Sequence, residues 1–149
     1  MKTKMTISDT GIDLVKRHEG FRSKVYKDVA GFDTVGYGHK LRAGELFPKG
    51  VTEEQATELL KRDLQDAENA VNARVTVPLT QSQFDALVDF TYNLGAGNFA
   101  SSNLLAKLNK RQYSAVPGEL MKWVHADGKV VAGLVARRQD EAELWGSAA

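Results

Sequence analysis

The stretch from Lys24 to about Gly50 lacks the helical periodicity that the sequence shows on both sides of it. It contains two short runs rich in β-branched and aromatic residues, KVYKD and DTVGYGHK, separated by the segment VAGF. Short runs of this composition, bounded by glycine and proline, are typical of strands joined by turns. The stretch therefore predicts a small antiparallel sheet within an otherwise helical chain.

A first helix is expected before this sheet. Ser8 is a suitable N-cap, and the apolar residues Ile12 and Val15 share a helical stripe with Glu19. Gly20 follows as a typical C-terminal stop signal. The first helix should therefore end at Glu19.

Two capping-box signatures, in which a threonine precedes a glutamine by three residues, predict helix starts after the sheet. The first, at Thr52, opens an apolar pattern that predicts one long helix to about Ala73. The second, at Thr80, opens a helix through Thr91 that the glycines of NLGAG should end. Further helices are expected around Leu104–Leu108, before and through Trp123, and at Leu134–Trp145.

Together these elements predict an α+β fold in a single domain, residues 1–149. A small antiparallel β lobe is expected at about 20–52, and a helical lobe at 1–19 and 74–149. The long helix at 53–73 should connect the lobes, with a cleft between them. A chain of this length can bury a substantial core.

Composition narrows the classes of function. The chain has 20 basic and 19 acidic residues, so no strong electrostatic attraction to nucleic acid is expected. No segment approaches the roughly 20 apolar residues of a membrane-spanning helix, and polar residues follow the first lysines where an export signal would be apolar. Cysteine is absent, which excludes disulfides and thiolate chemistry.

Two carboxyl groups are expected in contrasting environments. Glu19 lies on an apolar stripe at a helix C-terminus, and both conditions favour the protonated form that a general acid needs. Asp28 begins a polar turn, where solvent and backbone donors can keep it ionised. Paired carboxyls of this kind are typical of an acid and a base.

The run that follows Asp28 adds a hydroxyl group. On a strand from Thr34, alternation places Thr34, Gly36 and Gly38 on one face and the residues between them on the other. That face would let a ligand approach the backbone closely, and the Thr34 hydroxyl would hold a water beside Asp28.

Simpler interpretations apply to these residues one by one. A glutamate at a helix end is usually solvated, and an aspartate at a turn usually bonds its own backbone. Nucleotide binding is rejected because Leu41 stands where the third glycine of the phosphate loop should be. The three histidines lack metal-ligand spacing, and His39 is expected to be a buried hydrogen-bonding residue that supports the sheet.

The combined pattern is more specific than any single residue. The order Glu19, eight residues, Asp28, five residues, Thr34, then VGYGH, resembles the catalytic signature of the phage-type lysozymes related to the bacteriophage T4 enzyme, glycoside hydrolase family 24. The segments FDALVDFTYNLGAGNF and GLVARRQDEAELW resemble the cleft helix and the C-terminal helix of that family. This resemblance covers nearly the whole chain and implies a lysozyme-like fold.

The resemblance also implies catalytic roles. In the family the glutamate is the general acid, the aspartate positions or deprotonates the attacking water, and the threonine holds that water. These roles fall on Glu19, Asp28 and Thr34. The reaction would invert the anomeric carbon, and no metal or cofactor is implied.

The same resemblance assigns substrate contacts. Gly38, Tyr92 and Asn93 would line the sugar cleft. One of Arg137 or Arg138 would reach the acid, and the sequence leaves the choice between them open.

The activity that the resemblance implies is that of an endolysin, a muramidase that hydrolyses the β-1,4 bond between N-acetylmuramic acid and N-acetylglucosamine in bacterial peptidoglycan. Such an enzyme would be a monomer that collects in the host cytoplasm. It would depend on a holin to permeabilise the membrane before it reaches the periplasm and the cell wall. Neither a nucleic acid partner nor stable insertion into the membrane is expected.

Two alternatives remain at this point. A lytic transglycosylase cleaves the same bond by an internal attack of the sugar and needs no positioned water, so Asp28 and Thr34 argue against it. A non-catalytic wall-binding module would keep the fold without the chemistry, and intact Glu19, Asp28 and Thr34 argue against that.

Overall fold

The structure, a computed structural model, describes residues 4–147. Among these residues no helix is both long enough and apolar enough to cross a bilayer. The strands are β1 (Arg22–Lys27), β2 (Asp33–Gly36), β3 (His39–Lys40), β4 (His125–Ala126) and β5 (Lys129–Val130). The helices are α1 (Asp9–Glu19), α2 (Glu53–Asp63), α3 (Gln65–Arg74), α4 (Gln81–Leu94), α5 (Ala96–Ser101), α6 (Asn103–Asn109), α7 (Val116–Leu120) and α8 (Ala132–Trp145), with a 3₁₀ turn at Tyr113–Ala115.

The chain divides into two compact units. The sheet unit is Val15–Gln65, and the helical unit contains the described residues up to Leu14 and from Asp66 onward. The last turn of α1 and all of α2 therefore belong with the sheet, whereas the β lobe was expected at about 20–52 from the sequence. Helix α2 joins the sheet unit because it packs on β2 and β3.

The sheet unit contains the predicted antiparallel sheet, with strand order β1-β2-β3. Thr34 pairs with Tyr26 on one side and with Lys40 on the other. The pairing of β1 with β2 is irregular between Arg22 and Tyr26. The buried apolar residues of this unit are Val15, Val35, Tyr37, Val51, Ala56, Leu59, Leu60 and Leu64.

The expected continuous strand from Thr34 through His39 is wrong. Strand β2 ends at Gly36, and the chain turns so that His39 pairs with Val35. Gly36 and Gly38 have φ values of 66° and 75°, the left-handed region that glycine adopts without a steric penalty. The alternation of side chains therefore stops at this turn, and Gly38 does not share a strand face with Thr34.

Helix α1 ends where its sequence predicts. The carbonyl of Ser8 accepts the amide of Ile12 at 2.9 Å, and the helix runs from Asp9 to Glu19. Gly20 follows with a φ of 73°. Its amide still donates to the carbonyl of Lys16 at 2.9 Å, so Glu19 occupies the last helical position.

The predicted long helix after Thr52 is interrupted. Its capping box forms, because Thr52 and Gln55 bond each other's backbone amides, but Leu64 separates α2 from α3. Leu64 has a ψ of −15° and its amide still donates to the carbonyl of Leu60 at 2.9 Å. A local tightening of the backbone at Leu64 thus interrupts the regular series of helical hydrogen bonds. Neither glycine nor proline marks this interruption in the sequence.

The helical unit is built around α4. The predicted capping box of Thr80 and Gln83 forms, and the helix ends before Gly95, which has a φ of 95°. Helix α4 packs against α8 and α5. The fully buried apolar residues of this unit include Val71, Phe84, Leu87, Val88, Phe90, Phe99, Leu104, Leu108 and Leu120.

The expected helix through Trp123 is also wrong. Helix α7 ends at Leu120, with Pro117 in its first turn, where a missing amide costs little. The chain then forms the hairpin β4–β5, which was not predicted from the sequence. Asp127 and Gly128 occupy the turn with φ values of 51° and 76°. Asp-Gly is a common hairpin turn, but two-residue strands give no periodic pattern.

Candidate active site

Asp28 follows β1 directly and is held by the turn that it begins. Its Oδ1 accepts the amides of Phe32 and Ala30, each at 2.9 Å. The Nζ of Lys40 lies 3.9 Å from its Oδ2. The amide of Phe32 is the main cause of a lowered pKa for Asp28, and the amide of Ala30 and the charge of Lys40 add to it against a smaller effect of desolvation. Asp28 is therefore an ionised carboxylate at neutral pH.

Thr34 is held by the backbone of Phe32, the same residue whose amide bonds the carboxylate of Asp28. Its side chain is buried, and its Oγ1 donates to the carbonyl of Phe32 at 2.9 Å. That carbonyl also accepts the amide of Asp28 at 2.9 Å. Because the Thr34 hydroxyl proton is used within the turn, the oxygen can act only as an acceptor toward a third group.

Glu19 lies against the turn between β2 and β3. It is half-buried at the end of α1. A Cβ atom built on Gly38 would stand 2.6 Å from Oε1 of Glu19, which is well inside van der Waals contact. The absence of a side chain at Gly38 therefore lets the carboxyl of Glu19 approach the backbone of the turn.

The turn that carries Gly38 is anchored on both sides. The hydroxyl of Tyr37 bonds Oε2 of Glu53 at 2.7 Å. The ring of His39 bonds Asp63 through Nδ1 at 2.7 Å and Glu45 through Nε2 at 2.8 Å. His39 is buried, as the sequence predicted, and its two carboxylate partners give the turn a defined position.

Substitution of Gly38 by alanine is expected to reduce activity about a hundredfold, because the new methyl group displaces the carboxyl of Glu19. Alanine at a positive φ also costs roughly 1–2 kcal/mol of stability. Gly44→Ala is a matched control, since Gly44 has a φ of 84° and open space around it. Steady-state rates and denaturation curves of both variants separate the two effects. Equal activity losses in the two variants would contradict a specific contact with Glu19.

The remaining predicted site residues lie in the helical unit. Tyr92 and Asn93 are half-buried near the end of α4. Arg137 is buried and donates to both oxygens of Asp89, from Nε at 3.0 Å and from Nη2 at 2.7 Å. Arg138 is fully buried and donates through Nη2 to Oδ1 of Asn93. The contact of one arginine with the acid stays a prediction.

The structure contains a pair of buried carboxyls that the sequence did not indicate, Asp89 on α4 and Glu141 on α8. Burial raises the pKa of Glu141 well above 4.5, and the adjacent Asp89 raises it further. Burial opposes ionisation of Asp89 too, but hydrogen bonds from Glu141 and Arg137 outweigh it and lower the pKa of Asp89. These two directions favour a proton on Glu141 over one on Asp89.

Comparisons with known proteins agree with the architecture. Residues 16–141 match the phage lysozyme family. The endolysin of Bacillus phage B103 is 43% identical over 144 residues, which cover 95% of this chain and 54% of that protein. The endolysin of Acyrthosiphon pisum secondary endosymbiont phage 1 is 42% identical over 150 residues, 97% of this chain and 100% of that protein. The solved endolysin of Escherichia coli O157:H7 phage FAHEc1 has a TM-score of 0.90 at 32% identity, covering 98% of this chain and 96% of that one.

The small antiparallel sheet, the helical unit and these similarities define a glycoside hydrolase of the lysozyme type. The chain spans about half of the Bacillus phage relative and the full length of the endosymbiont phage relative. It belongs to the phage lysozyme family. The resemblance found in the sequence is thereby confirmed.

Proposed function

We propose that this protein hydrolyses the β-1,4 bond between N-acetylmuramic acid and N-acetylglucosamine in peptidoglycan, with Glu19 as general acid, Asp28 as general base and Thr34 as the residue that holds the water. The observation that carries the proposal is the pair of contacts that the backbone of Phe32 makes. Its amide donates to the carboxylate of Asp28 and its carbonyl accepts the hydroxyl of Thr34. The backbone of one residue thus orients two acceptors, which is what the two hydrogens of an attacking water require.

The chemistry proceeds as a single displacement. Glu19 gives its proton to the glycosidic oxygen as the bond to the anomeric carbon breaks. A water donates one hydrogen bond to Thr34 and the other to Asp28, and Asp28 takes the proton as the oxygen attacks the opposite face of the sugar. Such a water needs a separation of roughly 6.5–9.5 Å between the two carboxyls. The product is inverted at the anomeric carbon.

A lytic transglycosylase would need neither Asp28 nor Thr34, because its reaction uses no attacking water. The lowered pKa of Asp28 and the acceptor role of the Thr34 hydroxyl both suit a water and have no use in an internal attack by the sugar. A non-catalytic wall-binding module would likewise have no use for an oriented pair of acceptors. Hydrolysis is therefore the best supported of the three functions.

Digestion of purified peptidoglycan followed by mass spectrometry distinguishes the three functions. Hydrolysis leaves muramic acid residues with reducing ends, and transglycosylation leaves 1,6-anhydro rings. A wall-binding module releases no fragments. Fragments that carry only anhydro ends, or no fragments, would overturn the proposal.

Substitution of Thr34 by valine is expected to lower turnover and to leave wall binding nearly unchanged. Valine has a similar volume but removes the hydroxyl that would accept the water. Loss of one such hydrogen bond is expected to cost about tenfold or more in kcat. Thr34→Ser restores the hydroxyl and should recover most of the rate. Equal rates for Thr34→Val and wild type would exclude the water-holding role.

The biological setting proposed here is host cell lysis. The relatives are named endolysins and come from phages, which supports this setting. We propose that the enzyme acts as a monomer, accumulates in the host cytoplasm and needs a holin to reach the wall. Expression in a bacterium should leave the culture turbid until the inner membrane is permeabilised, and lysis before permeabilisation would contradict the dependence on a holin.

A further inference from the structure

Phe32 makes a third contact besides the two that its backbone makes. The Nζ of Lys40 lies over its ring, 4.9 Å from the ring centroid. An ammonium group at this distance is attracted by the negative face of an aromatic ring. Both side chains are exposed, so a lysine at this position would otherwise be free to move in solvent. The ring therefore favours one position of the Lys40 ammonium.

Lys40 faces the second oxygen of the Asp28 carboxylate. Oδ1 of Asp28 accepts the amides of Ala30 and Phe32, whereas the Nζ of Lys40 lies 3.9 Å from Oδ2. This distance is too long for a hydrogen bond but short enough for a direct interaction of charges. Lys40 therefore acts on Oδ2 without occupying a position from which a water could bond that oxygen.

The other charged side chains on the strands beside Asp28 are paired with each other. Lys27 precedes Asp28 on β1, and its Nζ lies 2.8 Å from Oδ1 of Asp33 on β2. These two opposite charges largely cancel at Asp28. Lys40, on β3, supplies a positive charge that lowers the pKa of Asp28 in addition to the larger effect of the Phe32 amide.

We propose that Lys40, held by the ring of Phe32, is a positioning residue that keeps Asp28 ionised as the base of the hydrolysis. This inference rests on the proposed function. A base must be unprotonated before it can accept the proton of the water, and a nearby cation favours that form. The enzyme should therefore stay active at more acidic pH than the turn alone would allow.

The pH dependence of kcat/KM tests this role. The acidic limb of the profile reports ionisation of the base in the free enzyme, and the alkaline limb reports the acid, Glu19. Lys40→Met removes the charge at an exposed position. We expect kcat/KM on the acidic limb to fall about two- to fivefold, while the plateau and the alkaline limb stay as in wild type. New reducing ends released from soluble, peptide-free glycan measure the rate.

Two further lysine variants are controls. Lys40→Arg keeps the charge and can lie over the same ring, so it should keep the wild-type profile. Lys49→Met removes an equal charge from an exposed position in the same unit and should also keep that profile. Lys49 lies near the start of β1, since the amide of Val51 bonds the carbonyl of Ser23, whereas Asp28 follows the end of that strand.

The role of the Phe32 ring has its own test. Phe32→Leu removes the ring and keeps the backbone contacts with Asp28 and Thr34. It should lower kcat/KM on the acidic limb, as Lys40→Met does, and should cause no further change when it is combined with Lys40→Met. Because the ammonium is exposed, about 1 M salt should move the wild-type profile toward that of Lys40→Met.

Carbon NMR of the Asp28 carboxyl gives a measurement that does not depend on activity. Its titration midpoint should lie at higher pH in Lys40→Met than in wild type. An unchanged midpoint would overturn the inference, and so would a rate loss by the same factor at every pH or an equal effect of Lys49→Met. If wild type releases no reducing ends from the glycan, the proposed function fails instead, and the NMR titration still shows whether Lys40 acts on Asp28.

Discussion

Replacing Glu19 with glutamine is expected to leave the protein folded and to reduce peptidoglycan hydrolysis by roughly 10²–10⁴-fold or more. The amide fits the space of the carboxyl beside Gly38 but has no acidic proton for the leaving oxygen. The measurement is the loss of turbidity of permeabilised cells, with thermal unfolding as the test of folding.

Glu54→Gln is the matched control for this prediction. Glu54 is an exposed glutamate in the first turn of α2, in the same unit as Glu19, and the substitution changes net charge by the same amount. It should retain full activity. A Glu19→Gln variant that lyses permeabilised cells at the wild-type rate would show that Glu19 is not the acid.

Asp89→Asn is expected to destabilise the protein by about 3–5 kcal/mol, because it removes one charge of a buried ion pair, the carboxylate that accepts two hydrogen bonds from Arg137. For a chain of this size that corresponds to a fall in Tm of roughly 6–20 °C. Glu141→Gln should cost about 1 kcal/mol or less at neutral pH, since a glutamine amide can donate to Asp89 in place of the acid proton. Urea denaturation of both variants measures the difference.

The pH dependence checks which carboxyl holds the proton. The pKa of Glu141 is raised in the folded protein, so above its ordinary value of 4.5 the unfolded chain loses this proton while the folded protein keeps it. The wild-type protein therefore loses the stability that protonated Glu141 contributes as pH rises above about 4.5, whereas Glu141→Gln does not. The free energy of unfolding of the variant should therefore rise relative to that of wild type between pH 5 and pH 8. Equal destabilisation by Glu141→Gln and Asp89→Asn would contradict the assignment.

Local signals explain what the sequence predicted well. The capping boxes at Thr52 and Thr80 depend only on residues three apart, and both formed where expected. The end of α1 at Glu19 followed from the adjacent Gly20, which needs a positive φ. Asp28 was expected to meet backbone donors because an aspartate in a turn usually does, and it meets two.

Features that depend on distant parts of the chain were harder to predict. A turn stands at Gly36 and Gly38, where a continuous strand was expected, because both glycines adopt a positive φ. The spacing of the residues is the same for a turn and for a strand with alternating side chains, so the sequence could not distinguish the two. Asp89 and Glu141 look like ordinary helix-surface charges in the sequence. Only the packing of α4 on α8 makes them a buried pair, although an aspartate flanked by apolar residues in VDF was a possible signal.

The stereochemistry of the first product tests the central claim most directly. Proton NMR during the first minutes of peptidoglycan digestion, before mutarotation, reports the anomer at each new reducing end. If Asp28 and Thr34 direct a water at the sugar while Glu19 protonates the leaving oxygen, the β-linked substrate gives the α anomer first. An initial β anomer would mean that Asp28 attacks the sugar directly, and an anhydro product would mean that no water attacks at all. Either result would contradict the mechanism.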